Sequence, residues 1–403
     1  FAVFKLPFQS SSFLLAFALL VAAFAIFYIF FARSASPADD DPQADGWAGR
    51  VILLGVVAIL AGRIPSWVAG LPFEVRYDYD RFFLSIMPGA SLVVAGVLEY
   101  FLRGKRRKIV LTSLLLALAL GAQFLNANAY RRDAEHQKNL FTQLTWRAPG
   151  IQPGTILLTD HIAAIPRESD LGLTAPLNWV YAPDLAARQI PYVLLYTDIR
   201  LATGQLPGLA RNIPVEIDYR TTHFSGNTSN TLVFFYPEVG CIRVVDPANP
   251  LMLQEGVLPA NLARAAKLSN LSRINPAASP AALPAAIFGA AAAPDWCYYY
   301  QKAELARQSA DWNAIVRLGS TAREAGFQPD DPLEWLPFVE GSLRSGSVKE
   351  AQTLLRSAFK PRSVRNDTVC LFLQQMAAAP LDAAQAQFIA DNRTAYACEE
   401  GEQ

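Results

Sequence analysis

The sequence contains none of the short motifs that mark common catalytic sites. It has no GxGxxG, no Walker A loop, no GxSxG, no HExxH and no CxxC. Histidine is scarce: His136, His161 and His223 stand far apart, and none lies at metal-binding spacing from a cysteine. We therefore predict no structural metal and no cofactor, and no pattern indicates a divalent ion.

Charge is also scarce and evenly balanced. Charged residues make up 17% of the chain, with 35 basic and 35 acidic side chains, and residues 6–32 carry no charge at all. A neutral chain lacks the basic stripe that displaces counterions, so we exclude nucleic acid as a partner. The run from Phe13 to Ala32 is long enough to cross the roughly 30 Å hydrocarbon layer as a helix. The lipid bilayer is the first partner that the sequence predicts.

Four apolar runs precede a mostly polar remainder. We predict a transmembrane region over residues 1–130, with helices at about 12–32, 48–69, 82–102 and 109–129. Arg63 interrupts the second run and can snorkel to the interface. The basic loop at 103–108 (RGKRRK) predicts a cytoplasmic loop. It therefore predicts a multi-pass protein of the cell membrane with residues 131–403 extracytoplasmic, although Arg131 and Arg132 favour the opposite orientation.

The start of the chain at Phe1, without methionine and without a signal-peptide pattern, indicates the C-terminal part of a longer polytopic protein. A processed N-terminus is the alternative.

The remainder predicts a multi-domain protein. Short β-type runs follow the α-helical transmembrane bundle and indicate a small α/β or α+β soluble domain over 131–250. The runs are at 155–159, 193–196, 215–219, 231–236 and 241–245, with the last two as a hairpin and a helical piece at 182–188. A Pro/Ala-rich stretch predicts a linker over 251–294. Residues 295–403 are helical in pattern throughout and form the predicted all-α tail.

All four cysteines, Cys241, Cys297, Cys370 and Cys398, lie in the predicted extracytoplasmic part. An even number in an oxidising compartment favours disulfides, and four buried thiols are the alternative. Of the three pairings, Cys241–Cys297 with Cys370–Cys398 keeps each bond inside one predicted subdomain.

A weak internal repeat lies in the helical tail. Residues 311–315 (DWNAI) are matched 36 positions later by residues 347–351 (SVKEA), and each opens a helix rich in Leu and Ala. This spacing resembles tetratricopeptide repeats, helix-turn-helix units of about 34 residues. The full consensus is absent, and a plain helical bundle is the alternative.

The densest functional candidate is the charged segment 73–82 (FEVRYDYDRF) before the third apolar run. Arg81 and Arg76 could hold a phosphate through fork geometry, and Glu74, Asp78 and Asp80 could accept a proton or place a metal. The alternative is an interfacial belt in which tyrosine and arginine anchor the helix. A second candidate, the pair at 160–161 (DH), follows a predicted strand, where either a catalytic residue or a plain surface turn can lie.

The segment 81–88 (RFFLSIMP) resembles the late R-Y/F-x-x-x-x-x-P segments of polytopic GT-C glycosyltransferases. The resemblance covers about residues 60–130. It implies a polyprenyl-phosphate sugar donor whose phosphate is held by Arg81 and, by a weaker match to the family's segment, by Arg76. It also implies that the catalytic carboxylate lies upstream of this chain, so no general base is assigned here.

Two classes of function follow. The first is the C-terminal portion of a GT-C-like glycosyltransferase. The second is a non-enzymatic, membrane-anchored protein that binds a protein partner through its external helical module.

Overall fold

The computed structural model describes residues 11–34, 44–70, 80–102, 104–185, 188–254, 256–361 and 364–398. The chain is mostly helical and divides into two compact units, residues 1–132 and 133–403.

In the described part of the first unit, the helices are α1 (Ser11–Ser34), α2 (Ala44–Val68), α3 (Met87–Phe101) and the start of α4 (Lys105–Arg147). Helices α1, α2 and α4 are long and apolar enough to cross a membrane, whereas α3 is a shorter apolar helix. The predicted count of four spans therefore stays a prediction. Arg63 of α2 is only 5% exposed, so its side chain is covered by other residues. Its extension to a membrane interface stays a prediction.

Helix α3 begins later than the predicted residue 82. A short 3-10 turn (Asp80–Phe83) precedes it, and Pro88 occupies its first turn. Proline fixes a helical φ and needs no hydrogen-bond acceptor at that position, so it favours a helix start there.

Helix α4 continues well past the predicted end of the span at residue 129 and ends at Arg147. No proline or glycine interrupts residues 131–148, and alanine, glutamine, leucine and lysine there favour helix. One helix therefore contains both the apolar stretch that ends at Tyr130 and a polar stretch in the second unit.

The second unit opens with a mixed sheet. Its strands are β2 (Thr155–Thr159), β3 (Tyr192–Tyr196), β6 (Thr231–Phe235) and β7 (Arg243–Val244), in the order β3-β2-β6-β7. Strand β2 is parallel to β3 and to β6, and β7 pairs antiparallel with β6 as the predicted hairpin. Two small antiparallel pairs accompany this sheet: β1 (Gly150–Ile151) with β8 (Ile274–Asn275), and β4 (Pro214–Tyr219) with β5 (Thr222–Asn227).

Both faces of the sheet are covered, which explains why its strands are continuously apolar. On one face, Leu157 and Leu194 belong to a core that also includes Leu140, Phe141 and Leu144 of α4. The same core takes in the helix α5 (Asp170–Tyr181), which connects β2 to β3. The predicted helical piece at 182–188 is wrong for the described residues 182–185, because the helix lies earlier in the sequence and includes Pro176.

The other face of the sheet packs against the segment predicted as a linker. Helix α7 (Ala260–Ala265) places Leu262 and Ala265 in that core, and the short helix α6 (Thr197–Ala202) follows β3. Further along, α8 (Ala285–Phe288) places Phe288 against Phe141 of α4. The described residues between 251 and 288 thus contain packed structure, in contrast to the predicted linker, because their scattered large apolar residues pack on the cores beside the sheet.

The helical tail contains three successive helix pairs. Their members are α9 (Trp296–Gln308) with α10 (Trp312–Glu324), α11 (Leu336–Arg344) with α12 (Val348–Ala358), and α13 (Asp367–Ala377) with α14 (Ala383–Ala395). Aspartate caps α9, α10 and α14 at Asp295, Asp311 and Asp382. Helices α10 and α12 begin 36 residues apart, at the positions of the repeat found in the sequence, and the tetratricopeptide-like assignment stays a prediction.

Both predicted disulfides are confirmed. Cys241 is bonded to Cys297 and Cys370 to Cys398, with Cα–Cα distances of 5.4 Å and 5.3 Å. The first joins the sheet region to α9, and the second ties the end of α14 to α13.

Candidate functional site

Most of the charged segment singled out in the sequence lies outside the described residues. This applies to Glu74, Arg76 and Asp78. Asp80 and Arg81 open the 3-10 turn before α3, and their side chains are also outside the described part. The phosphate-binding role of Arg81 and Arg76 therefore stays a prediction.

The second candidate, Asp160-His161, lies at the carboxyl edge of the parallel strands. Strand β2 is central: the chain continues through α5 to β3 on one side, and β6 lies on the other side. The carboxyl ends of adjacent parallel strands lie at the same edge of a sheet, and ligands of open α/β sheets bind at that edge. Asp160 follows the end of β2 directly, and Thr197 and Asp198 follow the end of β3.

Asp160 is half-buried, and its Oδ1 atom has no hydrogen-bond partner among the described residues. Burial raises the pKa of Asp160, and the nearby negative charge of Asp198 raises it further, while the Thr197 hydroxyl offsets part of the increase. That hydroxyl also donates to the Thr159 carbonyl at 2.9 Å. A carboxyl whose charged form is disfavoured is suited to proton transfer or to donating a hydrogen bond to a ligand.

Tyr196, the last residue of β3, is the centre of the site. Its ring lies 5.4 Å from the ring of the exposed His161, and its hydroxyl donates to the Glu168 carbonyl at 3.3 Å. Burial raises the pKa of Tyr196, and the carboxylates of Asp170, Glu168 and Asp198 add to the effect. The site therefore combines one phenol, one imidazole and several carboxylates.

Asp170 fixes the geometry behind the site. Its Oδ2 accepts hydrogen bonds from the Tyr196 amide at 3.0 Å and from Arg200 Nε at 2.5 Å. Its Oδ1 accepts from the Leu171 amide at 2.7 Å and from Arg200 Nη2 at 2.5 Å. A buried carboxylate with a bidentate arginine and two backbone donors is a rigid support, so the end of β3 is held firmly to the start of α5.

The segment after β2 is also attached to α4. Arg167 Nη1 lies 3.2 Å from the Asp133 carboxylate on α4. Burial and the charge of Asp133 both raise the pKa of Glu168, the next residue. Asp133 lies three residues beyond Tyr130, where the apolar stretch of α4 ends.

A second charged cluster is buried where the sheet region meets the helical tail. The Glu334 carboxylate is fully buried and accepts hydrogen bonds from the Cys241 amide and from Trp296 Nε1, both at 2.6 Å. Arg243 pairs with Asp331 beside it, and Arg307 pairs with Glu340 at 2.8 Å. A cavity of only about 50 Å³ lies next to these groups. With almost every charge paired, this cluster fits a structural role.

A surface groove of about 680 Å³ runs between α9 and α10. Tyr298 and Tyr299 line it together with Lys302 and Arg317, and no carboxylate belongs to the lining. Burial lowers the pKa of Lys302. The groove thus offers aromatic surface and two cations, which suits an anionic, partly apolar segment.

Sequence reasoning found Asp160 and His161 but missed most of their neighbours. Glu168, Tyr196 and Asp198 belong to other parts of the chain. Of these three, only Asp198 could have been singled out from the sequence, because it follows the predicted strand at 193–196. Among the described residues, no group of three or more histidine, cysteine or acidic side chains could hold a metal ion.

Comparisons with protein-family models, with curated proteins and with solved structures found no match to this chain.

Proposed function

We propose that this chain is the C-terminal portion of a GT-C-like membrane glycosyltransferase that uses a polyprenyl-phosphate sugar. In this proposal residues 131–403 are extracytoplasmic, in agreement with the two disulfides, which favour an oxidising compartment. The arginines before α3 hold the phosphate of the lipid-linked donor.

The observation that carries the proposal is the segment 81–88 (RFFLSIMP), in which an arginine beside aromatic residues precedes α3 and Pro88 lies in the first turn of that helix. The resemblance of this segment to the late segments of GT-C glycosyltransferases supports a phosphate-binding role for Arg81. In the second unit, Asp160, His161 and Glu168 supply hydrogen-bonding groups of the kind that sugar hydroxyls require.

The test concerns Arg81 in the full-length protein, reconstituted in lipid nanodiscs. Arg81→Lys should weaken the binding of undecaprenyl phosphate at least tenfold, about 1.4 kcal/mol, because lysine offers a point charge and no planar fork. Binding is measured as the ligand-induced shift in melting temperature over a ligand titration. Transfer from undecaprenyl-phosphate hexoses should fall in parallel.

The matched control is Arg33→Lys, in the last turn of α1, where the side chain is exposed. It should leave both binding and transfer unchanged. If Arg81→Lys behaves like the control, Arg81 merely anchors the helix and the proposal fails.

A second candidate function, protein binding through the helical tail, is favoured by the groove between α9 and α10. Two cations without a neighbouring carboxylate, on an aromatic surface, suit a peptide in which acidic and apolar side chains alternate.

The test of this candidate is Lys302→Glu, which reverses one of the two charges in the groove. It should weaken the binding of a fluorescein-labelled (Glu-Leu)-repeat peptide at least tenfold, about 1.4 kcal/mol, measured by fluorescence anisotropy. Lys349→Glu changes an exposed lysine on α12 in the same way and should have no effect. Equal affinity of both variants would rule out the groove as the binding site.

A further inference from the structure

An open cavity of about 970 Å³ lies at the N-terminal end of α4, where the chain passes from α3 into that helix. Three cationic and three large apolar side chains line it: Lys105, Arg106 and Arg107, with Leu102, Val110 and Leu111. Among the residues that the structure describes, no carboxylate belongs to the lining. The cavity therefore joins positive charge to apolar surface.

The acidic residue nearest in sequence, Glu99 of α3, is already paired. Its carboxylate accepts a hydrogen bond from Lys108 Nζ at 2.5 Å, which also ties the end of α3 to the start of α4. In the described part of the chain, no carboxylate pairs with the exposed side chains of Arg106 and Arg107. These two guanidinium groups are therefore available to an anionic ligand.

The cations and the apolar side chains of the cavity occupy the same faces of α4. Arg106 and Val110 are four positions apart, as are Arg107 and Leu111, so the members of each pair lie about 6 Å apart along the helix axis. Val110 is 38% exposed. A phospholipid has the same order of groups, since its phosphate stands next to the start of its acyl chains. A soluble phosphate would use only the charged half of the cavity.

The depth of the cavity in a membrane follows from the sequence of α4 alone. The apolar stretch from Ile109 to Tyr130 is about 33 Å long as a helix, which matches the roughly 30 Å hydrocarbon layer. Arg106 and Arg107 precede this stretch by only two or three residues, roughly 3–5 Å. When α4 crosses a bilayer, both guanidinium groups therefore lie at the level of the lipid head groups.

We propose that this cavity binds an anionic phospholipid, with Arg106 and Arg107 on the phosphate and the start of the acyl chains against Val110 and Leu111. Each guanidinium offers a planar fork that donates two parallel hydrogen bonds to phosphate oxygens. The positive end of the α4 dipole adds to the attraction, and basic pockets beside membrane helices suit anionic head groups. Lipid binding here requires only that α4 spans a membrane, whether or not the protein is a glycosyltransferase.

The first experiment measures lipid binding to the purified full chain by native mass spectrometry. The wild type should bind dioleoylphosphatidylglycerol at least tenfold more tightly than dioleoylphosphatidylcholine, about 1.4 kcal/mol, and Arg106→Gln/Arg107→Gln should lose this preference. Glycerol phosphate, which carries the phosphate without acyl chains, should bind at least tenfold more weakly than phosphatidylglycerol. Equal affinity for the two would make the ligand a soluble phosphate and overturn the proposal.

The matched control is Arg131→Gln/Arg132→Gln, at the opposite end of the same apolar stretch, where both side chains are also exposed. This variant removes the same charge from the same helix and should keep the preference for phosphatidylglycerol. If both double variants lose the preference equally, it comes from total charge and the proposal fails. It also fails if Arg106→Gln/Arg107→Gln keeps the preference.

The second experiment needs no variant. The wild-type chain in nanodiscs is illuminated with a phosphatidylglycerol that carries a diazirine on its acyl chain near the head group, and tandem mass spectrometry locates adducts in the tryptic peptide 109–131. Excess unlabelled phosphatidylglycerol should suppress labelling at Val110 and Leu111 far more than phosphatidylcholine does. Labelling near Tyr130 reports bulk lipid and should fall equally with both competitors. Equal suppression at Val110 and Leu111 by the two lipids, or no labelling there, would overturn the proposal.

Discussion

At the scale of single residues, Glu334 joins elements that are far apart in the sequence. Its two oxygens accept hydrogen bonds from the sheet region at Cys241 and from α9 at Trp296, while Glu334 itself precedes α11. Burial is the largest influence on this carboxyl and raises its pKa to about 7, although both hydrogen bonds and Arg243 act in the opposite direction.

This pKa predicts a stability that falls as the pH rises. In the unfolded chain Glu334 titrates near its ordinary value of 4.5, so between pH 4.5 and 7 the folded state binds more protons than the unfolded state. The free energy of unfolding should therefore decrease over this window, by about 3 kcal/mol at most, and stay level above it. Urea unfolding of the second unit (residues 133–403) between pH 4.5 and 8 measures this change.

The variant Glu334→Gln isolates this contribution. Because an amide does not titrate, the variant should lose the part of the pH dependence that comes from this position. It should also be less stable than the wild type at pH 5. The side-chain NH2 group of glutamine cannot accept a hydrogen bond, so it would face either the Cys241 amide or Trp296 Nε1 without bonding to it. Glu324→Gln, at an exposed position near the end of α10, should retain the wild-type profile. An unchanged pH profile in Glu334→Gln would show that Glu334 titrates normally.

The sequence predicts the position of a single functional residue only where a pattern in the neighbouring residues marks that position. Asp160 could be predicted at a strand end because the apolar run before it marks the strand. The partners of Glu334 could not be predicted, since Cys241 is 93 residues away and no local pattern encodes that contact. The same limit applies to Asp198, whose charge acts on Asp160 only because β2 and β3 pair.

At the scale of elements, α2 and α3 approach each other through glycine. A Cβ atom added to Gly89 would lie 2.7 Å from the Gly55 carbonyl oxygen and 2.7 Å from the Ile59 amide nitrogen. Small residues that allow such contact between backbones are typical of helix pairs in membranes. The two helices can therefore pack closely only while these positions lack side chains.

Gly89→Leu should separate α2 from α3 and lower the melting temperature of the detergent-solubilised protein, since overpacking costs about 1–3 kcal/mol or more. Gly49→Leu on α2 is the matched control, because nothing lies within 4 Å of an added Cβ there. Thermal unfolding followed by size-exclusion fluorescence compares the two. Equal melting temperatures would argue against close packing of α2 on α3.

Helices and strands could be predicted from the sequence where their apolar or helix-favouring pattern is continuous. They could not be predicted where proline or glycine interrupts that pattern. The run at 155–159 matches β2 residue for residue, since a strand covered on both faces is apolar throughout. Helix α5 was missed because Pro176 and Gly172 interrupt its helical signal. The composition of the segment 251–294 predicts a linker, because its many prolines interrupt the pattern of the few apolar residues that pack on the sheet.

At the scale of the whole molecule, the second unit (residues 133–403) depends on the C-terminal end of the long helix α4. Leu140, Phe141 and Leu144 of α4 are at most 1% exposed and belong to the core on one face of the sheet. Replacing one such residue by alanine typically costs about 2–5 kcal/mol. Losing all three would therefore remove much of the 5–15 kcal/mol that usually stabilises a domain.

Two fragments test this dependence. The fragment 133–403 should unfold cooperatively and keep both disulfides, whereas 150–403 should lack a sharp thermal transition and a near-ultraviolet circular dichroism signal. Leu140→Ala in the longer fragment should melt at an intermediate temperature. A cooperative transition in 150–403 would show that the sheet and helical tail do not need α4.

The position of α4 before the sheet in the chain also determines which parts of the core are synthesised first. Its buried stripe at residues 140–144 leaves the ribosome before any strand of the sheet. At about 5–20 residues per second, roughly 6–25 s pass before β8 is made. During that interval the core that covers Leu140, Phe141 and Leu144 is still incomplete. The nascent chain therefore presents a hydrophobic surface that a chaperone can bind before the sheet is finished.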